Sequence, residues 1–279
     1  MSFLKVLIKR KLAFVGLLVI GVVVIFALFA PFIAPYEPTR LNPAHRLQPP
    51  STTYLFGTDN FGRDIFSRIV FGARTSLIGS AGVVTVATVL GVALGVMSGY
   101  FRRVEPFVMR LIDVLMAFPS LLLALVLVSV MGRGMINVVL AVGVTYMTRT
   151  TRIVYALTLR AREEPYIEAI RSVGAKESRI VLFHLLPNMI SPIIVQATFT
   201  FAFSLLDMAA LDFLGLGVPP EIPSWGNMLS EGRMFLTRAP WLLMFPGSFI
   251  VLSVLSFNLL GDVLRDRLDP HYRRSIEGV

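Results

Sequence analysis

Long apolar runs alternate with short polar segments along this chain. Each run is about 20 residues or longer, which is the length that a helix needs to cross a hydrocarbon core of about 30 Å. The runs cover residues 12–34, 77–101, 107–131, 135–158, 189–215 and 241–261. This pattern predicts an all-α membrane protein with six transmembrane helices. The first run follows several basic residues, as the core of a signal peptide does, but it is too long for one, and we expect it to stay attached.

The basic residues between the runs predict an orientation. If the N-terminus lies in the cytoplasm, 18 Lys and Arg residues fall on that side and 8 fall on the other. Cytoplasmic loops of membrane proteins carry the excess of Lys and Arg. We therefore expect both termini and the segment 159–188 to be cytoplasmic.

The composition agrees with a membrane location. Hydrophobic residues make up 55% of the chain and charged residues 15%, and the mean hydropathy is +0.75, which leaves too little polar surface for a water-soluble domain. The net charge of +9 could indicate nucleic acid, but the basic residues stand at the ends of the apolar runs and not in one patch. We expect membrane lipid and no nucleic acid as partners. The absence of cysteine excludes disulfides and thiolate chemistry.

The segment 163–188 is charged and favours helix, although apolar runs flank it. Pro165 can open a short helix, because its missing N–H would have no partner in the first turn anyway. Gly174 can adopt the positive φ at which such a helix ends. Two short helices joined by an elbow at Gly174 are predicted.

The spacing of this segment resembles the coupling loop of ATP-binding-cassette import permeases. The matching positions are Glu168, Ala169, Gly174, Ala175, His184, Leu186, Pro187 and Asn188. Ile170 stands where that loop usually has a second alanine, and His184 is typical of the peptide-import branch. The resemblance implies that the loop docks into a separate ATPase subunit.

Three other segments narrow the resemblance. Residues 56–77, 215–233 and 258–270 resemble the dipeptide, oligopeptide and nickel permeases, most of all the second (C-type) of the two paired dipeptide permease subunits. The matching residues of the external scaffold are Gly57, Thr58, Asp59, Gly62, Arg63, Asp64, Arg68, Arg74 and Trp225. The resemblance covers about residues 12–272. It implies a type I importer permease fold, with residues 1–75 as an N-terminal transmembrane helix and external scaffold loop, and residues 76–279 as the core permease domain.

The resemblance also implies partners and a location. These are a homologous permease subunit that completes a heterodimer, two cytoplasmic ATPase subunits and an external substrate-binding protein, in the cytoplasmic (inner) membrane of a bacterium or archaeon. The chain lacks the Gly-x-x-x-x-Gly-Lys-[Ser/Thr] loop that cradles phosphates, so we expect ATP and Mg to be bound by the ATPase subunits and no cofactor in this chain. No residues show metal-ligand or catalytic spacing, so we expect no metal site and no enzyme activity.

The expected function is a translocation pathway for di- or oligopeptides. A nickel importer shares the same motifs and stays open as an alternative. A secondary transporter is possible on hydropathy alone, but it would need inverted repeats, which the sequence does not show. A membrane-embedded hydrolase would need a catalytic constellation that is also missing.

The scaffold segment carries a local pattern of its own. Ile65, Phe66, Ile69 and Val70 share one helical face, which predicts a helix that lies at the membrane interface before the chain turns into the membrane. Four charged residues could form local ion pairs there, and the segment could serve as a scaffold or as a docking site for the binding protein. The four are Asp59, Arg63, Asp64 and Arg68. Trp225 and Trp241 fit interfacial anchors at least as well as partner contacts.

The fifth run carries a polar stripe. At 100° per residue, four of its polar residues fall within an arc of about 80°. They are Gln196, Thr200, Ser204 and Asp207. A carboxylate at this depth avoids lipid, so the stripe either makes hydrogen bonds between helices or lines the translocation path, and both remain open. Asp212 lies on the opposite side of the helix, and its role is not predicted.

Two smaller patterns predict helix contacts. Gly91, Gly95 and Gly99 stand four residues apart and leave one helical face bare, which allows a neighbouring helix to approach closely. Arg110 and Asp113 stand three residues apart and predict an ion pair at a helix end.

Overall fold

The structure, a computed structural model, describes residues 11–268, and over this range the regular elements are helices. The α-helices are α1 Lys11–Ile33, α2 Ile65–Tyr100, α3 Glu105–Met116, α4 Ser120–Met131, α5 Met135–Arg162, α6 Pro165–Ser172, α7 Glu177–Ile180, α8 Leu186–Phe213, α9 Trp225–Gly232 and α10 Trp241–Leu268. A π turn, Val181–Leu185, joins α7 to α8. The predictions for the two termini, and the end of the 258–270 match, lie outside the described residues.

Four helices within residues 11–268 are long and apolar enough to cross a membrane by themselves. They are Leu12–Ile33, Ile65–Tyr100, Glu177–Phe213 and Trp241–Leu268. The pair α3 and α4 makes a fifth if the two helices together form one span. The all-α membrane class is therefore confirmed, whereas the count of six stays a prediction that depends on the α3–α4 pair and on α5.

The sequence predicted one helix for the third apolar run, residues 107–131, but the structure has two. The axes of α3 and α4 are bent by 97° across the break at residues 117–119. Pro119 precedes the first residue of α4, and the residue before a proline is disfavoured in the α region. The proline therefore accounts for the break that the hydropathy pattern could not show.

The scaffold segment also differs from its prediction. No turn separates an interfacial helix from a membrane helix, because α2 runs unbroken from Ile65 to Tyr100. The apolar face that was expected at the interface is buried within the protein: Ile65, Ile69 and Val70 are 0% exposed. Ile65 and Ile69 pack in one cluster with Met228 of α9. Contacts with protein and not with lipid explain this apolar face.

The glycine face predicted that a neighbouring helix approaches α2 closely, and the structure shows that this helix is α5. A Cβ atom on Gly95 would lie 2.7 Å from Val154 Cβ, and one on Gly91 would lie 2.6 Å from Thr150 Cβ. Gly99 faces Thr158 in the same way. The backbone of α2 at these three glycines therefore packs directly against side chains of α5.

The ion pair predicted within α3 is not the one that forms. Asp113 pairs with Arg152 of α5 and not with Arg110. Nearby, the Tyr155 hydroxyl donates to Glu105 Oε1 at 2.5 Å. Both contacts fasten α3 to α5, which the local spacing within one helix could not predict.

Candidate functional site

Four charges, three of them buried and one partly exposed, form one cluster at the start of α2. We call Asp59, Arg63, Arg68 and Glu231 the charge cluster. Asp59 Oδ2 lies 2.6 Å from both Arg63 Nε and Arg68 Nη1, and Glu231 Oε2 lies 2.5 Å from Arg63 Nη2 and 2.7 Å from Arg68 Nη1. Two cations and two anions balance, which is the arrangement that buried charges require. Local ion pairs were predicted among the charged residues of this segment, and those that form join Asp59 to the two arginines.

The sequence missed one member of the charge cluster and wrongly included Asp64. Glu231 lies on α9, far along the chain from Arg63, and no local spacing pointed to it. Asp64, expected to be part of the ion pairs, caps α2 instead: its Oδ2 accepts from the Ser67 N–H at 2.8 Å and from the Ser67 hydroxyl at 2.7 Å. Burial raises the pKa of the Asp64 carboxyl, and the hydrogen bonds from Ser67 oppose that rise.

The loop before α2 is held by hydrogen bonds and by two glycines with positive φ. Thr58 donates to the His45 carbonyl at 2.5 Å and accepts from the Gln48 N–H at 2.9 Å. Gly57 and Gly62 have φ of +78° and +74°, which other residues rarely adopt. The loop is thus fixed to α2, whereas Arg74, one helical turn past Val70, is exposed and lies outside the charge cluster.

Trp225 is not an interfacial anchor. Its side chain is 0% exposed, and its Nε1 donates to the Ile69 carbonyl at 3.0 Å. Trp241 is partly buried and donates to the Thr58 carbonyl at 3.3 Å. Both indole groups therefore join α9 and α10 to the scaffold segment, and an interfacial position of Trp241 stays a prediction.

The two-helix segment predicted at residues 163–188, here called the elbow segment, has the expected turn. α6 ends before Gly174, whose φ is +83°, and α7 begins at Glu177. Arg171 Nε lies 3.4 Å from Glu177 Oε1, across the turn. Tyr100, the last residue of α2, also donates to Glu177. Contacts of Glu177 with α6 and with the end of α2 therefore hold the turn in place.

The second helix of the elbow segment is not a separate short helix. It continues through the π turn into α8, so the chain from Glu177 to Phe213 is one helical rod. Pro187 explains the π turn: it has no N–H to give to the carbonyl of Phe183, so the turn before it widens. Asn188 fixes the base of the rod by donating to the Tyr166 hydroxyl at 2.9 Å.

One face of the elbow segment is buried and the other is open. Ile167, Ile180 and Leu185 are 0% exposed and pack with Val154 of α5. Residues on the open face line a groove with a volume of about 780 Å³. These are Gly174, Ala175, Lys176, Ser178, Arg179, Leu182, Phe183 and His184. Glu168 and Ala169 are exposed on α6. An anchored element with a grooved, partly apolar outer face is suited to bind another protein.

A second concave site lies at the break between α3 and α4, and we call it the kink cavity. It has a volume of about 360 Å³. Its walls come from α8, from the middle of α5 and from the break itself, and they comprise Leu115, Met116, Phe118, Ser120, Thr145, Tyr146, Thr148, Arg149, Phe203 and Asp207. The Tyr146 hydroxyl donates to Asp207 Oδ2 at 2.8 Å. Arg149 had been counted with the cytoplasmic basic residues, but it lies near the midpoint of α5.

The structure separates the residues of the polar stripe. Asp207 lines the kink cavity, whereas Thr200 is 2% exposed and Ser204 is 0% exposed. Ser204 donates to the Phe201 carbonyl at 3.0 Å, and Gln196 donates to the Thr200 hydroxyl at 3.2 Å. Only Asp207 of the stripe therefore lines the cavity, and the three residues before it make hydrogen bonds within α8.

Asp212, for which no role was predicted, holds a loop. Its carboxylate accepts from the Val218 N–H at 2.9 Å and from the Ser224 hydroxyl at 2.6 Å. Gly226 packs against it so closely that a Cβ there would lie 2.5 Å from Asp212 Cβ. Asp212 therefore joins the end of α8 to the start of α9. Among residues 11–268 no group of His, Asp or Glu is arranged to hold a metal ion.

Comparison with known proteins decides the family. A family model described as a binding-protein-dependent transport system inner membrane component matches residues 87–274, which is more than half of the chain. The chain belongs to this family. A second model, the N-terminal TM domain of oligopeptide transport permease C, matches residues 2–50.

Individual relatives are similar along almost their whole length. The chain is 45% identical to the dipeptide transport system permease protein DppC of Alkalihalophilus pseudofirmus, over 94% of this chain and 86% of that protein. It is 38% identical to the oligopeptide transport system permease protein OppC of Bacillus subtilis, over 95% and 88%. It is 40% identical to the glutathione transport system permease protein GsiD of Pectobacterium atrosepticum, over 96% and 90%.

Family membership fixes the class of function. The chain is a multi-pass inner-membrane permease subunit of a binding-protein-dependent ATP-driven importer, and the recognition made from its motifs is confirmed. A permease subunit is not itself catalytic, and it works with an ATPase and a substrate-binding protein.

Proposed function

We propose that this permease subunit carries di- or oligopeptides across the inner membrane along a path that includes the kink cavity. The observation that carries the peptide assignment is the set of relatives, 38–45% identical, that are named for dipeptide, oligopeptide and glutathione transport. Glutathione is itself a short peptide, so all three names share one substrate chemistry. Nickel is the second candidate, since the scaffold motifs resemble both branches.

The proposed topology has six crossings. α5 supplies the crossing that apolar content alone does not detect. Its 28 residues extend about 42 Å at 1.5 Å per residue, which exceeds the hydrocarbon thickness. Its polar residues contact α2 and α3 or line the kink cavity, which explains its low apolar content. The elbow segment then lies on the cytoplasmic side, together with both termini, and the charge cluster lies on the external side.

The proposed partners follow from the two ends of the molecule. The elbow segment binds an ATPase subunit through its open face, where Val173 is 84% and Phe183 is 70% exposed, and ATP and Mg are held by that partner. A homologous permease subunit covers the exposed side of the break between α3 and α4, where Phe118 is 55% exposed. The external binding protein docks near the charge cluster, which keeps the scaffold segment rigid.

Transport assays test the substrate assignment. Uptake of a labelled dipeptide and of labelled nickel is measured in cells that contain the other subunits, with and without this chain. We expect dipeptide uptake to require the chain and nickel uptake to be unaffected by it. Loss of nickel uptake alone would favour the nickel importer, and dipeptide uptake that persists without ATP would favour a secondary transporter.

A further inference from the structure

Arg149 is an exposed cation near the middle of a membrane helix. It lies close to the midpoint of α5 and its side chain is exposed in this chain. No carboxylate among the described residues forms an ion pair with it, although Arg152, one turn later, pairs with Asp113. An arginine at the centre of a bilayer costs about 2.5–3.5 kcal/mol on insertion scales. Arg149 therefore requires water, a ligand or a partner chain beside it.

The kink cavity is lined by this cation and by a carboxylate from a different helix. Arg149 and Asp207 both line it, and Asp207 accepts a hydrogen bond from the Tyr146 hydroxyl but forms no ion pair among residues 11–268. The cavity thus presents one positive and one negative group that do not neutralise each other. The aromatic rings of Phe118 and Phe203 line the space as well.

The size and chemistry of the kink cavity fit a small zwitterion. Its volume of about 360 Å³ is near the lower end of the roughly 300–1,000 Å³ that small-molecule sites occupy. A short peptide carries an α-ammonium at one end and an α-carboxylate at the other, whatever its side chains are. Two opposite charges and two aromatic rings that line one cavity match these shared features and leave the side chains loosely contacted.

We propose that the kink cavity is a transient subsite for zwitterionic peptides, in which Asp207 accepts the α-ammonium and Arg149 binds the α-carboxylate. This inference rests on the proposed function and names the part of the substrate that the path recognises. Recognition of the two ends allows one path to serve many side-chain sequences. Each contact is a single ion pair, so the peptide can leave as well as enter.

Thiol labelling tests the subsite directly, because the chain has no cysteine of its own. Phe203→Cys places a thiol on the wall of the cavity, and Phe29→Cys, at a residue 51% exposed on α1, is the matched control. The assembled transporter in lipid nanodiscs is treated with a small water-soluble thiol reagent. The protecting probes are alanyl-alanine and its N-acetylated, C-amidated form, which lacks both charges.

We expect alanyl-alanine to slow labelling at position 203, about twofold when its concentration equals its Kd because half of the sites are then filled. The blocked peptide should give no protection, and neither peptide should change labelling at position 29. Protection at position 203 should be lost in Asp207→Asn and in Arg149→Gln, and it should persist in Arg149→Lys, which keeps the charge.

Each other result overturns the subsite in a distinguishable way. Labelling at position 203 with no protection, or with equal protection by both peptides, would leave the cavity on the path without recognition of peptide ends. No labelling at position 203 above that at position 29 would remove the cavity from the path and so contradict the proposed route as well. Loss of the assembled transporter in Arg149→Gln but not in Arg149→Lys would assign Arg149 to an ion pair with the partner permease.

Discussion

Individual charged residues of this permease subunit are found in two kinds of surroundings. In the charge cluster, each carboxylate contacts two arginines, and Asp59 and Arg68 are almost fully buried. In the kink cavity, Arg149 and Asp207 face open space and have no ion-pair partner within the described residues. The first arrangement stabilises one structure, and the second leaves charge available to a ligand.

Each member of the charge cluster should contribute to the stability of the fold. In Glu231→Gln, two buried arginines would face the single charge of Asp59. Breaking a buried pair costs about 3–5 kcal/mol, and because Glu231 is 19% exposed we expect about 2–3 kcal/mol. Thermal unfolding of the purified subunit should show a clear decrease in Tm.

Glu221→Gln, at an exposed glutamate in the loop before α9, is the control and should change Tm little. Equal Tm values for the two variants would show that the network contributes no stability.

Asp207 should affect transport and not assembly. Asp207→Asn keeps size and polarity and removes the charge that faces the kink cavity, so we expect several-fold slower peptide uptake by an intact complex whose ATPase still responds to the loaded binding protein. Cysteine at 207 should react with a water-soluble thiol reagent faster than cysteine at 205, because Leu205 is 2% exposed. Normal uptake together with equal labelling at 205 and 207 would assign Asp207 to helix packing.

At this scale, local sequence predicted only contacts between near neighbours. Asp59 stands four residues from Arg63, so their pairing could be predicted from spacing, and it forms. Glu231 approaches the same arginine from the far end of the chain, and such a contact depends on how α2 and α9 pack. The contact between Tyr146 and Asp207 depends in the same way on the packing of α5 against α8.

Among the helices, the contact of α2 with α5 should be the most sensitive to added volume. In Gly95→Ala, the new Cβ would lie 2.7 Å from Val154 Cβ and 2.8 Å from the Thr151 carbonyl oxygen. We expect a loss of about 1–3 kcal/mol from overpacking, measured as a lower Tm. Gly21→Ala is the matched control: its Cβ would meet nothing within 4 Å, and alanine favours helix over glycine by up to about 1 kcal/mol. If both variants were equally stable, α2 and α5 would be able to separate without cost.

The turn of the elbow segment should control coupling to the ATPase. A Cβ at Gly174 would meet nothing within 4 Å, so Gly174→Val introduces backbone strain at φ +83° and no crowding. Strain of this kind costs about 1–3 kcal/mol and should turn α6 relative to α7. We expect normal insertion, weaker ATPase association and hydrolysis uncoupled from uptake. Gly174→Asn, which adopts positive φ more readily, should be milder. Full transport by the valine variant with normal ATPase binding would show that the turn is unimportant.

The helices themselves were predicted well where hydropathy marks them and poorly where proline interrupts them. The turn at Gly174 was predicted from two residues, Pro165 and Gly174, and has the expected φ. The break at Pro119 and the π turn before Pro187 lie inside apolar or helix-favouring runs, where a hydropathy count continues through them. Proline removes one backbone hydrogen bond in each case, and the surrounding packing decides whether the helix bends or only widens.

For the whole molecule, the distribution of charge predicts which end faces the cytoplasm. The 18 to 8 asymmetry of Lys and Arg predicts that reporters fused after residues 45 and 228 signal from the external side and those after 105, 172 and 275 from the cytoplasm. Arg149 belongs to neither side, since it lies inside α5, and moving it out of the count leaves the asymmetry large. Residue 172 closes α6, beside the groove proposed for the ATPase. An external signal at 172 would place the elbow segment on the opposite side of the membrane from the ATPase subunits, and it would contradict the proposal that this segment binds them. A reporter after residue 133, between α4 and α5, completes the count: an external signal there, with cytoplasmic signals at 105 and 172, would require both the α3–α4 pair and α5 to cross the membrane, which gives six crossings.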